Sequence, residues 1–170
     1  MTFTVVAAPG HSDDHVAYWW EREGVLIAGD AAQGTGSRVG SGPLYFDSVV
    51  TARSTLARLA AIPFQTLHVS HPFGRSGTEE RATAFDAAAG KAFLAECVTV
   101  IDLIEDAFTS AVAALPGDPF PAVARDASRR MVAGGRWPMR PDATTGVPPN
   151  LAPTLHTLWR ERVPGAANGS

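Results

Sequence analysis

Apolar positions fall into two regimes along this chain. Up to about residue 77 they come in short runs separated by Gly, Pro and acidic turns. Beyond it they recur at helical spacing. Phe3 to Ala7 is short and β-branched and reads as a strand. Ala8 to Asp14 is loop, punctuated by Pro9 and Gly10. His15 to Trp20 reads as a second strand. Val16-Tyr18-Trp20 on one face and Ala17-Trp19 on the other are both apolar, so cover is expected on both sides. Glu21 to Gly24 turns the chain into a third strand, Val25 to Ala28. Asp47 to Ala61 carries a helical stripe of Val49, Val50, Leu56, Leu59 and Ala60, with Asp47 as its cap and Pro63 beyond its end. Thr66 to Ser70 is the fourth strand.

In the second regime, Ser76-Gly77-Thr78-Glu79 has the form of a capping box. Phe85, Phe93, Cys97, Val100, Ile101, Ile104, Phe108, Val112 and Leu115 then follow helical spacing up to Pro116. Gly90 either interrupts this segment or permits close packing. Asp118-Pro119 opens a further helix to about Val132. Gly134 to Pro149 reads as loop, and Asn150 caps a last helix bearing Leu151, Leu155, Leu158 and Trp159. The stripe holds aromatics and Cys97 with no sustained heptad charge pattern, which predicts a compact helical layer rather than a coiled coil.

Topology adds a prediction. If the first three strands form a meander, the first and third run the same way. A helical connection places the fourth strand parallel to the third, by the right-handed crossover rule. The loops after strands one, three and four then emerge at one edge of the sheet. Those loops carry His11, Asp30 and His71.

Composition narrows the class. The 170 residues amount to one domain, or one and a half, and 45% hydrophobic content is enough for a packed core. A net charge of −3 argues against a nucleic-acid footprint. Cys97 stands alone, which excludes an internal disulfide and thiolate zinc motifs. The start of the chain lacks a basic segment followed by a long apolar one, and no apolar run reaches the ~18 residues of a membrane span. The expectation is a soluble cytoplasmic protein with a small-molecule substrate.

Imidazole and carboxylate are the usual nitrogen and oxygen ligands of a hydrolytic zinc. His11 follows Pro9-Gly10, Asp30 ends the third strand in Gly29-Asp30, and His71 lies in Val69-Ser70-His71-Pro72-Phe73-Gly74. Each has a plainer reading. His11 can be a loop histidine bonded to backbone, Asp30 a turn cap, and His71 a polar loop residue held extended by Pro72. Asp13 and Asp14 either orient His11 or are turn residues. His15 and His68 read as packed, hydrogen-bonded histidines, His156 as solvated, and Cys97 as buried and inert. The glycine-rich stretch from Ala31 to Pro43 suits close backbone approach to a substrate but lacks a phosphate-binding G-x-x-x-x-G-K-[ST] pattern.

Ala8-Pro9-Gly10-His11-Ser12, then Gly29-Asp30, then Ser70-His71-Pro72 resembles the metallo-β-lactamase superfamily of metal-dependent hydrolases, in its glyoxalase-II-like and β-lactamase-like branch. The resemblance covers residues 3 to 77. The family's leading His-x-His-x-Asp-His motif does not occur in the chain, so the sequence resembles the C-terminal half of such an enzyme. The fold class implied is α/β: half of an αββα sandwich over residues 1–77, followed by an α-helical extension over 78–170. The resemblance implies a two-metal zinc site in which His11 serves one metal, His71 the second, and Asp30 bridges them as the catalytic carboxylate. It implies hydrolysis of an ester, thioester, lactone, amide or phosphoester. Three ligands shared between two metals are too few. The chain is therefore expected to be a fragment, one half of a split enzyme, or a metal-free binding or structural module. A homodimer or a complementary half-domain would cover the apolar face that the missing sheet leaves open.

Overall fold

A computed structural model describes residues 1–34, 43–74, 81–133 and 141–164. The strands are β1 (Thr4–Ala7), β2 (Val16–Trp20), β3 (Val25–Gly29), β4 (Thr66–Gly74) and β5 (Arg81–Asp86). The helices are α1 (Val49–Ala61), α2 (Ala87–Ala114), α3 (Phe120–Ala133) and α4 (Ala152–Arg162). The strands form one sheet in the order β1-β2-β3-β4-β5. β1–β2 and β2–β3 are antiparallel, β3–β4 is parallel, and β4–β5 is antiparallel. The α/β class, the meander and the parallel fourth strand thus follow the expectation. Among the described residues, no helix is long and apolar enough to cross a membrane.

Register explains which side chains meet the core. Thr4, Trp19, Leu26, Leu67 and Phe85 align across the five strands. Leu26, Leu67 and Phe85 are buried, and Trp19 packs against the same core. α1 presents Val49, Ala52, Leu56 and Leu59 to that core. α2 adds Phe93, Leu94, Cys97, Val100, Ile101, Ile104 and Phe108, the apolar stripe of an amphipathic helix. Val123, Ala127 and Met131 of α3 and Leu155 and Leu158 of α4 complete one continuous cluster. The helices form the compact layer that the sequence predicts.

Cover on both faces of β2 is not what the structure has. The neighbouring row Val5, Tyr18, Ile27 and His68 faces away from the helices. Val5 is 60% exposed, Tyr18 43% and Ile27 38%. Among the described residues the helices pack on the other face and leave this one open. Phe3 and Trp20 continue the apolar surface, with ring centroids 5.4 Å apart.

Four local expectations are corrected. Phe85 belongs to a strand, not to the helix: β5 pairs with β4, and Asp86 then caps α2 by accepting from the Ala89 amide at 2.8 Å. Unpaired backbone along β4 is satisfied by that extra strand. β4 itself runs past Ser70 to Gly74, with an irregularity between His68 and Phe73 that accommodates Pro72, so His71 sits in a strand. Ser48, not Asp47, caps α1, because Ser48 holds the extended backbone that lets its hydroxyl accept from the Thr51 amide at 3.0 Å. Leu151 takes the capping position of α4 without a side-chain bond, and the Pro148 carbonyl serves the Leu151 and Ala152 amides in place of Asn150. The capping box at 76–79 lies outside the described residues, as does most of the glycine-rich loop.

Three contacts lock α2 to the sheet and to the end of α1. A β-carbon at Gly90 would stand 2.7 Å from the Phe64 ring and 3.0 Å from the Leu67 β-carbon, so Gly90 permits close packing. Lys91 donates to the carbonyls of Ala60 and Ile62 at the end of α1, satisfying groups that the helix leaves open. Phe93 stacks on Phe85 with centroids 4.7 Å apart and meets Phe73 at 6.1 Å. We expect Phe93→Ala to lower unfolding free energy by about 3–5 kcal/mol, through lost burial and a cavity. Val50→Ala on the exposed side of α1 should stay within about 0.5 kcal/mol. Urea unfolding followed by circular dichroism measures both.

Candidate functional site

The three candidate ligands are set by the ends of three strands. β1 and β3 point the same way because each is antiparallel to β2, and β4 is parallel to β3. Their C-terminal ends therefore share one edge. Asp30 and His71 meet there, with His71 Nε2 3.3 Å from Asp30 Oδ1. His71 remains largely exposed, while Asp30 is mostly covered.

His11 is delivered by a loop fastened to α1. The Gly10 carbonyl accepts from the Asp47 and Ser48 amides, the His11 carbonyl from the Phe46 amide, and the Pro9 carbonyl from the Thr55 hydroxyl at 2.7 Å. Gly10 has φ of +135°, and a β-carbon on it would lie 2.5 Å from the Ala52 α-carbon. Only glycine lets the loop approach the helix this closely in this conformation.

The His11 ring is oriented by backbone. Its Nδ1 lies 2.6 Å from the Leu44 carbonyl, which can only accept, so Nδ1 carries the proton. Nε2 then holds the lone pair and makes no hydrogen bond to a described residue. Asp13 and Asp14 do not perform this task. Both are exposed, and Asp14 accepts from the Ser12 hydroxyl at 2.8 Å. They are turn residues.

Gln33 is the residue that sequence reasoning passed over. It is buried, and its carboxamide nitrogen donates to the Asp30 carbonyl at 2.8 Å and to the Leu44 carbonyl at 3.1 Å. Its oxygen accepts from the Leu44 amide at 2.9 Å. A polar residue three positions after Gly29-Asp30 carries no motif, and its partner is eleven residues away. No sequence signal marked it.

His15 is a packed histidine as read, but its bond goes to the site. Its Nε2 accepts from the Asp30 amide at 3.2 Å. Gly29, at φ of +58°, makes the turn, and a β-carbon there would meet the His15 ring at 3.1 Å. The proton must then sit on His15 Nδ1, which is buried with no partner among the described residues. Burial first, and His11 second, hold the His15 imidazole below its ordinary value of 6.5, against the opposing pull of Asp30 and Asp14. Elsewhere His156 is exposed and meets Phe120 edge-on, and His68 lies on the open sheet face. Cys97 is fully buried, and burial pushes its thiol well up, consistent with an inert residue.

In donor chemistry the residues fit a divalent metal: an imidazole nitrogen with no hydrogen bond to a described residue, a carboxylate and a second imidazole at one sheet edge. In number they fall short. Among the described residues, no group of three or more His, Cys, Asp or Glu side chains is placed to hold a metal ion.

No family model matches the chain. A hydroxyacylglutathione hydrolase from Bdellovibrio bacteriovorus is 33% identical over 78 residues, which is 45% of this chain and 30% of that protein. A metallo-β-lactamase family protein from Thermus thermophilus superposes with a TM-score of 0.52 at 19% identity, covering 94% of this chain and 44% of that one. A β-lactamase domain protein from Burkholderia ambifaria gives 0.48 at 17% identity, over 95% and 43%. The fold is that of an α/β protein of the metallo-β-lactamase kind. The likeness in sequence is to part of the hydroxyacylglutathione hydrolase, and the likeness in fold is to part of the metallo-β-lactamase family protein. The chain spans less than half the length of these relatives.

The lowered His15 value gives a pH dependence with a definite sign. A base whose folded value lies below its unfolded one stabilises the fold fully above the unfolded value. That contribution fades as pH falls below it, because the unfolded chain then binds the proton more readily. Stability should therefore decline as pH drops from about 7 to about 5. His15→Gln, whose amide oxygen accepts from the Asp30 amide without titrating, should flatten that slope. Urea midpoints across the pH range provide the measurement.

Proposed function

We propose that this chain supplies one side of the site of a metal-dependent hydrolase acting on an ester, thioester, lactone, amide or phosphoester. The observation that carries the reading is the meeting of Asp30 with His71 beside a His11 ring whose Nε2 makes no hydrogen bond to a described residue. The match to a hydroxyacylglutathione hydrolase supports the hydrolytic class. His11 would hold one zinc through Nε2, His71 the second through Nε2, and Asp30 would bridge. A bound zinc supplies an acidified water and polarises the substrate's carbonyl or phosphoryl oxygen. The chain's own residues do the positioning. Leu44 aims the His11 ring, His15 and Gly29 shape the Asp30 turn, and the β3–β4 pairing sets His71 against it. The single buried cysteine suits the reducing cytoplasm, where we place the protein.

The remaining ligands come, on this reading, from a complementary half-domain packed on the open sheet face. Val5, Tyr18 and Ile27 offer it an apolar row, with Phe3 and Trp20 beside them. The row ends near the edge that carries Asp30 and His71, so a covering sheet would bring its own side chains to them. Less than half of the Thermus thermophilus protein has a counterpart in this chain, which leaves room for such a half. A metal-free binding module is the second reading, favoured by the short ligand count among the described residues.

Zinc content and esterase turnover of the purified chain separate these readings. We expect substoichiometric zinc and background rates for the chain alone. Adding a half-domain that carries His-x-His-x-Asp-His should raise both, and His11→Ala should abolish the gain. Val5→Ser with Tyr18→Ser should weaken the association in sedimentation velocity. Full zinc and robust turnover by the chain alone would overturn the need for a second half. A dimer of this chain that blocks the added half would identify a second copy as the occupant, and no gain in zinc would favour the metal-free module.

A further inference from the structure

The carboxamide of Gln33 joins the two loops that present His11 and Asp30. Its nitrogen has two protons and two carbonyl partners, those of Asp30 and Leu44. It also lies 3.1 Å from His11 Nδ1. That nitrogen already carries a proton directed at Leu44, so the approach is a packing contact between two donors. The oxygen accepts from Leu44's own amide. Gln33 thus grips Leu44 by both its backbone groups and so fixes the carbonyl that orients His11. The amide orientation is unambiguous, because reversing it would set an oxygen against two carbonyls and an N–H against the Leu44 amide.

We propose that Gln33 is a positioning residue that sets the tautomer of His11 and locks it to the Asp30 turn. A free imidazole in water prefers its proton on Nε2. Here the Leu44 carbonyl draws it to Nδ1, and that carbonyl stays in place because Gln33 holds the residue on both sides. The consequence is a lone pair on Nε2, the form a ligand must have. Pro43, Tyr45 and Phe46, on either side of Leu44, are held separately by α4: Thr154 donates to the Pro43 carbonyl, and Thr157 to the carbonyls of Tyr45 and Phe46. Their loss loosens the same segment without releasing Leu44, which provides a control. The functional consequence rests on reading His11 as a ligand, but the tautomer does not.

Nitrogen-15 correlation spectra of the His11 ring in the metal-free chain, at alkaline pH, test the proposal. The wild-type chain should show the proton on Nδ1. Gln33→Met, similar in shape but without hydrogen bonds, should move it to Nε2, while Thr157→Val should lose stability and keep Nδ1–H. If Gln33→Met does not fold, Gln33→Asn carries the test, because its amide is one methylene too short to hold Leu44 and Asp30 together. A wild-type ring protonated on Nε2, or a tautomer unchanged in the folded Gln33 variant, would overturn the proposal. Zinc affinity of the complemented chain is a second readout, with an expected loss of roughly 10–100-fold in the Gln33 variant. Wild type that binds no zinc even when complemented would sink the ligand reading and leave the tautomer result standing.

Discussion

The parallel pairing of β3 with β4 is the constraint on which the site depends. Leu26 sits beside Leu67 and Ile27 beside His68, and the register then shifts so that Gly29 faces Val69. That pairing needs a crossover, which α1 provides, and α1 needs a surface to bury its own apolar stripe. One helix therefore brings Asp30 and His71 to the same edge. Through its N-terminal turn it also anchors the Gly10 loop that carries His11. Burial of Ala52, Leu56 and Leu59 is thus coupled to the placement of the His11 loop, since the same helix face receives both the core and the loop.

The helices beyond the sheet act on the site at a distance. α4 holds Pro43, Tyr45 and Phe46, the residues flanking Leu44, with Thr154, Thr157 and Arg160. α4 is in turn fixed to α1 and α2, where Glu161 accepts from the Val49 amide and Arg162 pairs with Glu105. Glu105 also receives Arg53 of α1 at 2.8 Å. These ion pairs are partly exposed, each contributing on the order of 1 kcal/mol or less. Their geometric role is larger. They set where α4 lies, and so where Pro43, Tyr45 and Phe46 stand on either side of Leu44.

The open sheet face is the other side of this arrangement of cover. With every helix on one side, the row Val5, Tyr18 and Ile27 keeps the apolar character of a surface built to be buried. Sheets packed face to face stand about 10 Å apart and interlock through such rows. The open face and the candidate ligands Asp30 and His71 lie on the same sheet, at and near the C-terminal ends of β3 and β4.

Much of this was legible in the chain itself. Short apolar runs between turn residues marked β1 to β4, and helical spacing with capping and proline signals marked the four helices. Strand direction followed from a meander and a helical crossover, and with it the common edge for His11, Asp30 and His71. What sequence left open was what depends on partners far along the chain. β5 was hidden because Phe85 also fits the helical spacing of Phe93 and Cys97, and only the unsatisfied edge of β4 selects the strand. Ser48 and Asp47 are equal as caps until backbone conformation chooses between them. Gln33 and Leu44 became site residues through folding alone, since a buried carboxamide takes its meaning from the groups that surround it. Which face of β2 is covered was decided by where the helices pack, a choice that a strand apolar on both sides does not encode.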